Sequence, residues 1–261
     1  MSTEFLNSSV QDRILEITMQ MNSTNIINAG FGEAFKQVLA DAAADESLRA
    51  IIIKGSNGYF SNGFDPSSFA GTDRAAVDAV IGPSFRLCKD VLYHPLPIAS
   101  VINGHAMGMG AILTLYTDFR FMQQKQARFG FPEIQIGLPI PLAPALMLQD
   151  LVGRQLCRDM TMGPKALKAD QCLEAGLVDG IGQDETELME MARKELKKLF
   201  KYPRITVQRN REAIYTRYRD RLEQFIEIDC TSAADEILAP AGQAGLSALR
   251  DNKRPDFSHL P

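Results

Sequence analysis

Cysteine is scarce in this sequence of 261 residues: Cys88, Cys157, Cys172 and Cys230 lie far apart and form no CxxC pair. A disulfide framework and a cysteine-rich zinc site are therefore not expected, and a reducing compartment is the default. Histidine is scarcer still. His94, His105 and His259 are too scattered for a metal cluster and read as structural or surface residues. Basic charge is not in excess, with Lys plus Arg at 28 against 32 for Asp plus Glu, which argues against nucleic acid as the principal ligand. The one basic stretch, Lys201, Arg204, Arg209, Arg211, Arg217, Arg219 and Arg221, is interleaved with Glu212, Asp220 and Glu223 and reads as a solvated helical face. No apolar run approaches the ~18–20 residues of a membrane span. The first residues lack the basic-then-apolar layout of a secretory signal and carry Glu4, Asp12 and Glu16, so a cytoplasmic protein is expected. Familiar motifs are missing as well: there is no Walker A sequence, no GxSxG elbow and no HExxH, and Leu113 stands where Gly108-x-Gly110 would need its third glycine for a dinucleotide fingerprint.

What is present is the ordinary balance of a globular protein, 45% apolar and 23% charged, long enough for one α/β domain with an appendage. Residues 15–21 alternate as a half-buried strand, while 49–55 and 97–104 are short continuous apolar runs, the form of strands buried on both faces. Helical spacing covers 29–44 and 75–92, the latter expected to break or kink near Gly82-Pro83. Past Asp118 the chain reads strand, then loop. From Pro141 it reads as helices at 141–152, 168–176, 184–200, 205–226 and 231–250. Strands alternating with helices imply βαβ units and a largely parallel sheet. No internal repeat is visible, and the economical division is a core over 1–200 and a helical region over 201–261.

Two buried strands run into glycine-bearing turns, "FSNGFD" (60–65) and "NGHAMGMG" (103–110). Such turns leave backbone N–H groups unpaired at a helix start, where they can meet developing negative charge. Each alone reads first as a tight strand-to-helix connection. Together with "PIASVINGHAMGMGA" (97–111), Asp118, "ARFGFPEIQIGL" (127–138) and "MTMGPKALKADQCLEAGLVD" (160–179), they resemble the crotonase superfamily, the enoyl-CoA hydratase/isomerase family, over most of residues 12–180.

The resemblance implies an α/β spiral of ββα units with a C-terminal helical trimerisation region, assembling as a homotrimer or a dimer of trimers and acting on an acyl-CoA thioester. It implies no metal, and no cofactor beyond the coenzyme A of the substrate. It places the thioester oxygen between the backbone N–H groups of Phe64 and Met109, with Met109 standing where relatives commonly have glycine. Asn62, Gly63, Phe64, Asp65, Pro66, Ser67, Gly108 and Ile112 become substrate contacts, and Lys253 in "NKRPDF" a contributor from the tail. Hydratases of the family use two glutamates. The position of the first is Ile112 here and that of the second is Glu133, so hydration lacks half of its machinery. One carboxylate beside an oxyanion hole suits a proton shuttle, the Δ3,Δ2-enoyl-CoA isomerase pattern, and burial of Glu133 among Phe131, Ile134 and Leu138 should raise its pKa towards neutrality. The alternatives are another thioester-enolate reaction, such as hydration or hydrolysis, and a non-catalytic acyl-CoA-binding scaffold. The run "GLPIPLAPALML" (137–148) reads both as an apolar acyl pocket and as a core helix with Pro141 in its first turn.

Overall fold

The computed structural model describes residues 4–163, 165–216 and 218–260. Pro164 of the 160–179 segment and Arg217 of the basic stretch lie outside the described residues. The chain opens with β1 (Leu6–Gln11), paired antiparallel with β2 (Ile14–Met19) across Asp12 and Arg13. Both turn residues have positive φ, 51° and 67°, the backbone that a two-residue hairpin requires.

From β2 onward one plan recurs: a strand in a large sheet, short strands beside it, then a helix. The first turn of this spiral continues through β3 (Ile26–Ile27) to α1 (Phe31–Ala44). The second is β4 (Ala50–Lys54), β5 (Tyr59–Ser61), β6 (Gly63–Phe64) and α2 (Arg74–Leu92). The third is β7 (Ile98–Ile102), β8 (His105–Met107) and α3 (Met109–Thr114). The fourth is β9 (Phe119–Gln123), β10 (Arg128–Gly130) and α4 (Leu142–Thr161). A repeat absent from the residues is thus present in the geometry. After β11 (Leu167–Lys168), α5 (Ala169–Glu174) and β12 (Gly180–Gly182), helix α6 (Glu185–Leu199) leads to the C-terminal helices α7 (Arg204–Thr216), α8 (Arg219–Leu238) and α9 (Pro240–Arg250). The large sheet has the order β1-β2-β4-β7-β9-β12 and is parallel apart from β1.

Burial on both faces explains why 49–55 does not alternate. Ile51 and Ile53 enter the main core, while Ala50 and Ile52 join a second cluster with Leu188, Ala192 and Leu196 of α6. At the end of this strand the Asn103 side chain accepts from Gly55 N (3.1 Å) and donates to Gly55 O (3.0 Å), tying the start of the second glycine-bearing turn to the end of β4.

Several helix boundaries differ from expectation. Helix α2 runs on through Pro83, where Ser84 Oγ bonds the carbonyl of Val80 (2.7 Å) and Gly32 of α1 lets the two helices touch. Helix α4 starts after Pro141, which stands at its N-cap position and makes no capping side-chain bond, and turns at Gly153 (φ 76°) rather than ending at 152. Helix α8 spans the expected gap at 227–230 because Leu222, Ile226, Cys230, Ala234 and Ile237 continue a single buried stripe. Proline then divides 231–250, starting a new helix where its missing N–H costs nothing. In the basic stretch, Arg211 is buried rather than solvated: its Nε bonds both carboxylate oxygens of Asp118 (2.8 and 2.9 Å). Asp118 also accepts from Ile98 N (2.7 Å), so it fastens α7 to the sheet. No helix is long and apolar enough to cross a membrane among the described residues.

Candidate active site

The two glycine-bearing turns meet. A Cβ on Gly63 would lie 2.9 Å from the Met109 nitrogen, and one on Gly110 would lie 2.3 Å from the Ser61 carbonyl oxygen, so hydrogen side chains set the approach. The positive φ of the second turn falls on Gly108 (φ 52°, ψ −126°), leaving Met109 as an ordinary first residue of α3. A side chain is tolerable there, and the Met109 N–H has no acceptor within its own helix. Ser61, which sequence reasoning did not single out, is buried and pins the first turn: its Oγ donates to Asn25 O (2.7 Å) and accepts from Gly63 N (3.1 Å).

Glu133 reaches this corner from the other side. It opens a short 3-10 turn, Glu133–Ile136, behind Pro132, and its Oε1 lies 3.3 Å from where a Cβ of Gly108 would stand. Its Oε2 is buried with no hydrogen-bond partner among the described residues. Burial pushes the carboxyl pKa up from 4.5 to about 7, against one smaller backbone contribution that lowers it. The apolar neighbours are not all those expected. Leu138 lines the same cavity as Glu133, but Ile134 is 41% exposed, because the tight turn swings it outward.

Two cavities adjoin at the carboxyl, sharing Phe64, Met109, Glu133, Leu138 and Ile237. The smaller, about 90 Å³, also touches Asn62, Pro66 and Gly108. The larger, about 310 Å³, extends past Ile112 to the segment 138–142 and one face of α8. Ile112 is 2% exposed and purely apolar at this wall. The segment 137–148 divides: Leu138 to Leu142 line the cavity, while Ala143, Met147 and Leu148 are core in a helix that Pro141 precedes rather than enters. The α8 wall was invisible in the sequence, since its residues lie a hundred positions from Glu133 and carry no motif. Its polar members are Asp229, Ser232 and Glu236, and the two oxygens of Asp229 accept from Leu142 N (2.7 Å) and Ala143 N (2.8 Å). Burial raises the Asp229 pKa although these two bonds lower it.

The remaining candidate residues lie away from the cavities. Asp65 caps the turn 66–69, accepting from Ser67 N (3.0 Å) and Ser67 Oγ (2.6 Å), and neither side chain lines either chamber. Lys253 is exposed on the tail, which passes the site through Phe257, packed at Gly137.

Comparison with known proteins agrees with this geometry. The family described as enoyl-CoA hydratase/isomerase matches residues 9–259. The rat enoyl-CoA hydratase domain-containing protein 3, mitochondrial, is 25% identical over 254 residues, covering 95% of this chain and 83% of that one. Carnitinyl-CoA dehydratase of Salmonella typhi is 31% identical over 193 residues, covering 73% of this chain and 72% of its own. In fold, the chain is similar to human mitochondrial delta3-delta2-enoyl-CoA isomerase (TM-score 0.88, 18% identity, 95% of this chain and 97% of that one). It is equally similar to enoyl-CoA hydratase from Bacillus halodurans (TM-score 0.87, 19% identity, 94% and 99%).

Proposed function

We propose a specific reaction for this chain, which belongs to the enoyl-CoA hydratase/isomerase family: conversion of 3-enoyl-CoA to 2-enoyl-CoA. Glu133 carboxylate removes a proton from C2, and the electron pair delocalises over C2–C4 and the thioester oxygen. The N–H groups of Phe64 and Met109 hydrogen-bond that oxygen as its charge grows, each worth about 3 kcal/mol of barrier. The same carboxyl returns the proton at C4, and the double bond then lies between C2 and C3.

The observation that carries this reading is one buried carboxyl, with a pKa of about 7 and an Oε2 that has no hydrogen-bond partner among the described residues, in a cavity where Ile112 supplies no second acid. A group that must act as base and then as acid works best with a pKa near the operating pH. The other carboxylates lining the cavity are poor substitutes. Asp229 is committed to two backbone N–H groups, and Glu236 is exposed. We read Asn62, Gly63, Pro66 and Gly108 as thioester contacts, the loop with Asp65 and Ser67 and the tail with Lys253 as the CoA border, and the assembly as a homotrimer or dimer of trimers.

A second reading, hydration or its reverse, is favoured by the 31% identity to a carnitinyl-CoA dehydratase. The two separate in parallel assays. With 3-hexenoyl-CoA the absorbance of the conjugated product should rise, and with crotonyl-CoA water addition should be slower by roughly a hundredfold, the contribution of a missing acid–base group. Equal rates would move the assignment to a hydratase. Binding without turnover of either ester would make the chain a non-catalytic acyl-CoA-binding scaffold.

A further inference from the structure

The larger cavity has a direction. Ile237 lines both chambers and marks the end at Glu133, whereas Ile228 lines only the larger one, together with Phe85 and Leu142. These two α8 residues are nine positions apart, about 13 Å along a helix. The far end is not sealed, since Leu142 and Ile228 are 44% and 40% exposed and form an apolar rim. Between them sits Asp229, 1% exposed, joined by both oxygens to the first two N–H groups of α4. Pro141 precedes those groups and its side chain cannot accept their hydrogen bonds, so the cap that a helix start needs comes from a residue 87 positions away.

We propose that Asp229 determines acyl-chain specificity, holding Leu142 against Ile228 so that the cavity takes medium-chain thioesters whose tails lie along α8 and reach this rim. The inference rests on the proposed reading of the cavity as an acyl pocket, and it goes further by naming the substrate class and a residue that selects it. Asp229 acts through Leu142 and α4 and touches no reacting atom, so it is a positioning residue. A short acyl group ends near Ile237 and Ile112 and does not sense the clamp. A longer one gains apolar contact only while the rim is in place.

The test measures calorimetric affinity of the whole protein for butanoyl-CoA and decanoyl-CoA, saturated esters that bind without turnover. The native protein should prefer decanoyl-CoA. Asp229→Asn, which keeps one acceptor and presents an NH2 group to the other N–H, should weaken decanoyl-CoA roughly tenfold, the scale of a lost helix cap, with butanoyl-CoA unchanged. Equal weakening at both lengths, or none, would overturn the proposal. If Asp229→Asn does not fold, Leu142→Ala tests the rim through which Asp229 acts: it should give the same loss confined to the long ester, and equal weakening at both lengths, or none, would overturn the proposal. A selective loss in a protein that isomerises nothing would sink the proposed reaction and leave this inference standing. Failure of either ester to bind would remove the acyl-pocket reading and this inference with it.

Discussion

The corner around Gly63, Gly108 and Gly110 and the wall formed by α8 lie at two adjoining cavities that share Glu133, yet they are built by opposite means. The corner is backbone against backbone: its contacts are a nitrogen, a carbonyl and the space a hydrogen leaves. The wall is side chain against side chain, Ile228, Ala233 and Ile237 facing Leu138 and Leu142 across about 310 Å³. Backbone geometry has one solution. Apolar packing has many of similar volume. The corner should therefore tolerate nothing, and the wall a good deal.

The harshest way to break that comparison is Gly110→Ala. Its Cβ would fall 2.3 Å from the carbonyl oxygen of Ser61, a residue whose Oγ is tied to Asn25 O and Gly63 N. The expected cost is about 3 kcal/mol of stability, read as a lower denaturant midpoint, together with loss of turnover. At the gentle end, Ile237→Val should cost about 1 kcal/mol and change the turnover rate less than about threefold. If the glycine variant were as stable as the native protein, or the valine variant as damaged as the glycine one, the distinction between corner and wall would be wrong.

The same contrast explains what the sequence disclosed. The turns "FSNGFD" and "NGHAMGMG" were legible because local backbone demands leave glycines at fixed spacings, whereas Glu133 was legible only through the resemblance of its segment to the family. The parallel sheet was legible from runs such as "RAIIIKG", whose two faces are both buried. The hairpin strand β1 was missed: of its six residues only Leu6 is buried, and Asp12-Arg13 is not a usual turn pair. The break between α8 and α9 was signalled by Pro240 and overlooked under a continuous apolar pattern. Arg211 looked solvated because its partner Asp118 lies 93 positions earlier, and Asp229 carried no motif because its partners are backbone N–H groups that every residue but proline has. Long-range electrostatics and tertiary caps leave no periodicity to read.

The proposed isomerisation depends most on Glu133 being one group that exchanges a proton near neutrality. The direct measurement is the pH dependence of kcat/KM for 3-hexenoyl-CoA in the native protein and in Glu133→Gln. Raised from 4.5 to about 7, the free carboxyl is protonated and idle below that pH and ionised above it, so the rate should climb through about 7 to a plateau. Glu133→Gln should lie roughly a thousandfold lower at every pH, with that step gone. A native profile flat through neutrality, or a glutamine variant that keeps both rate and step, would contradict it.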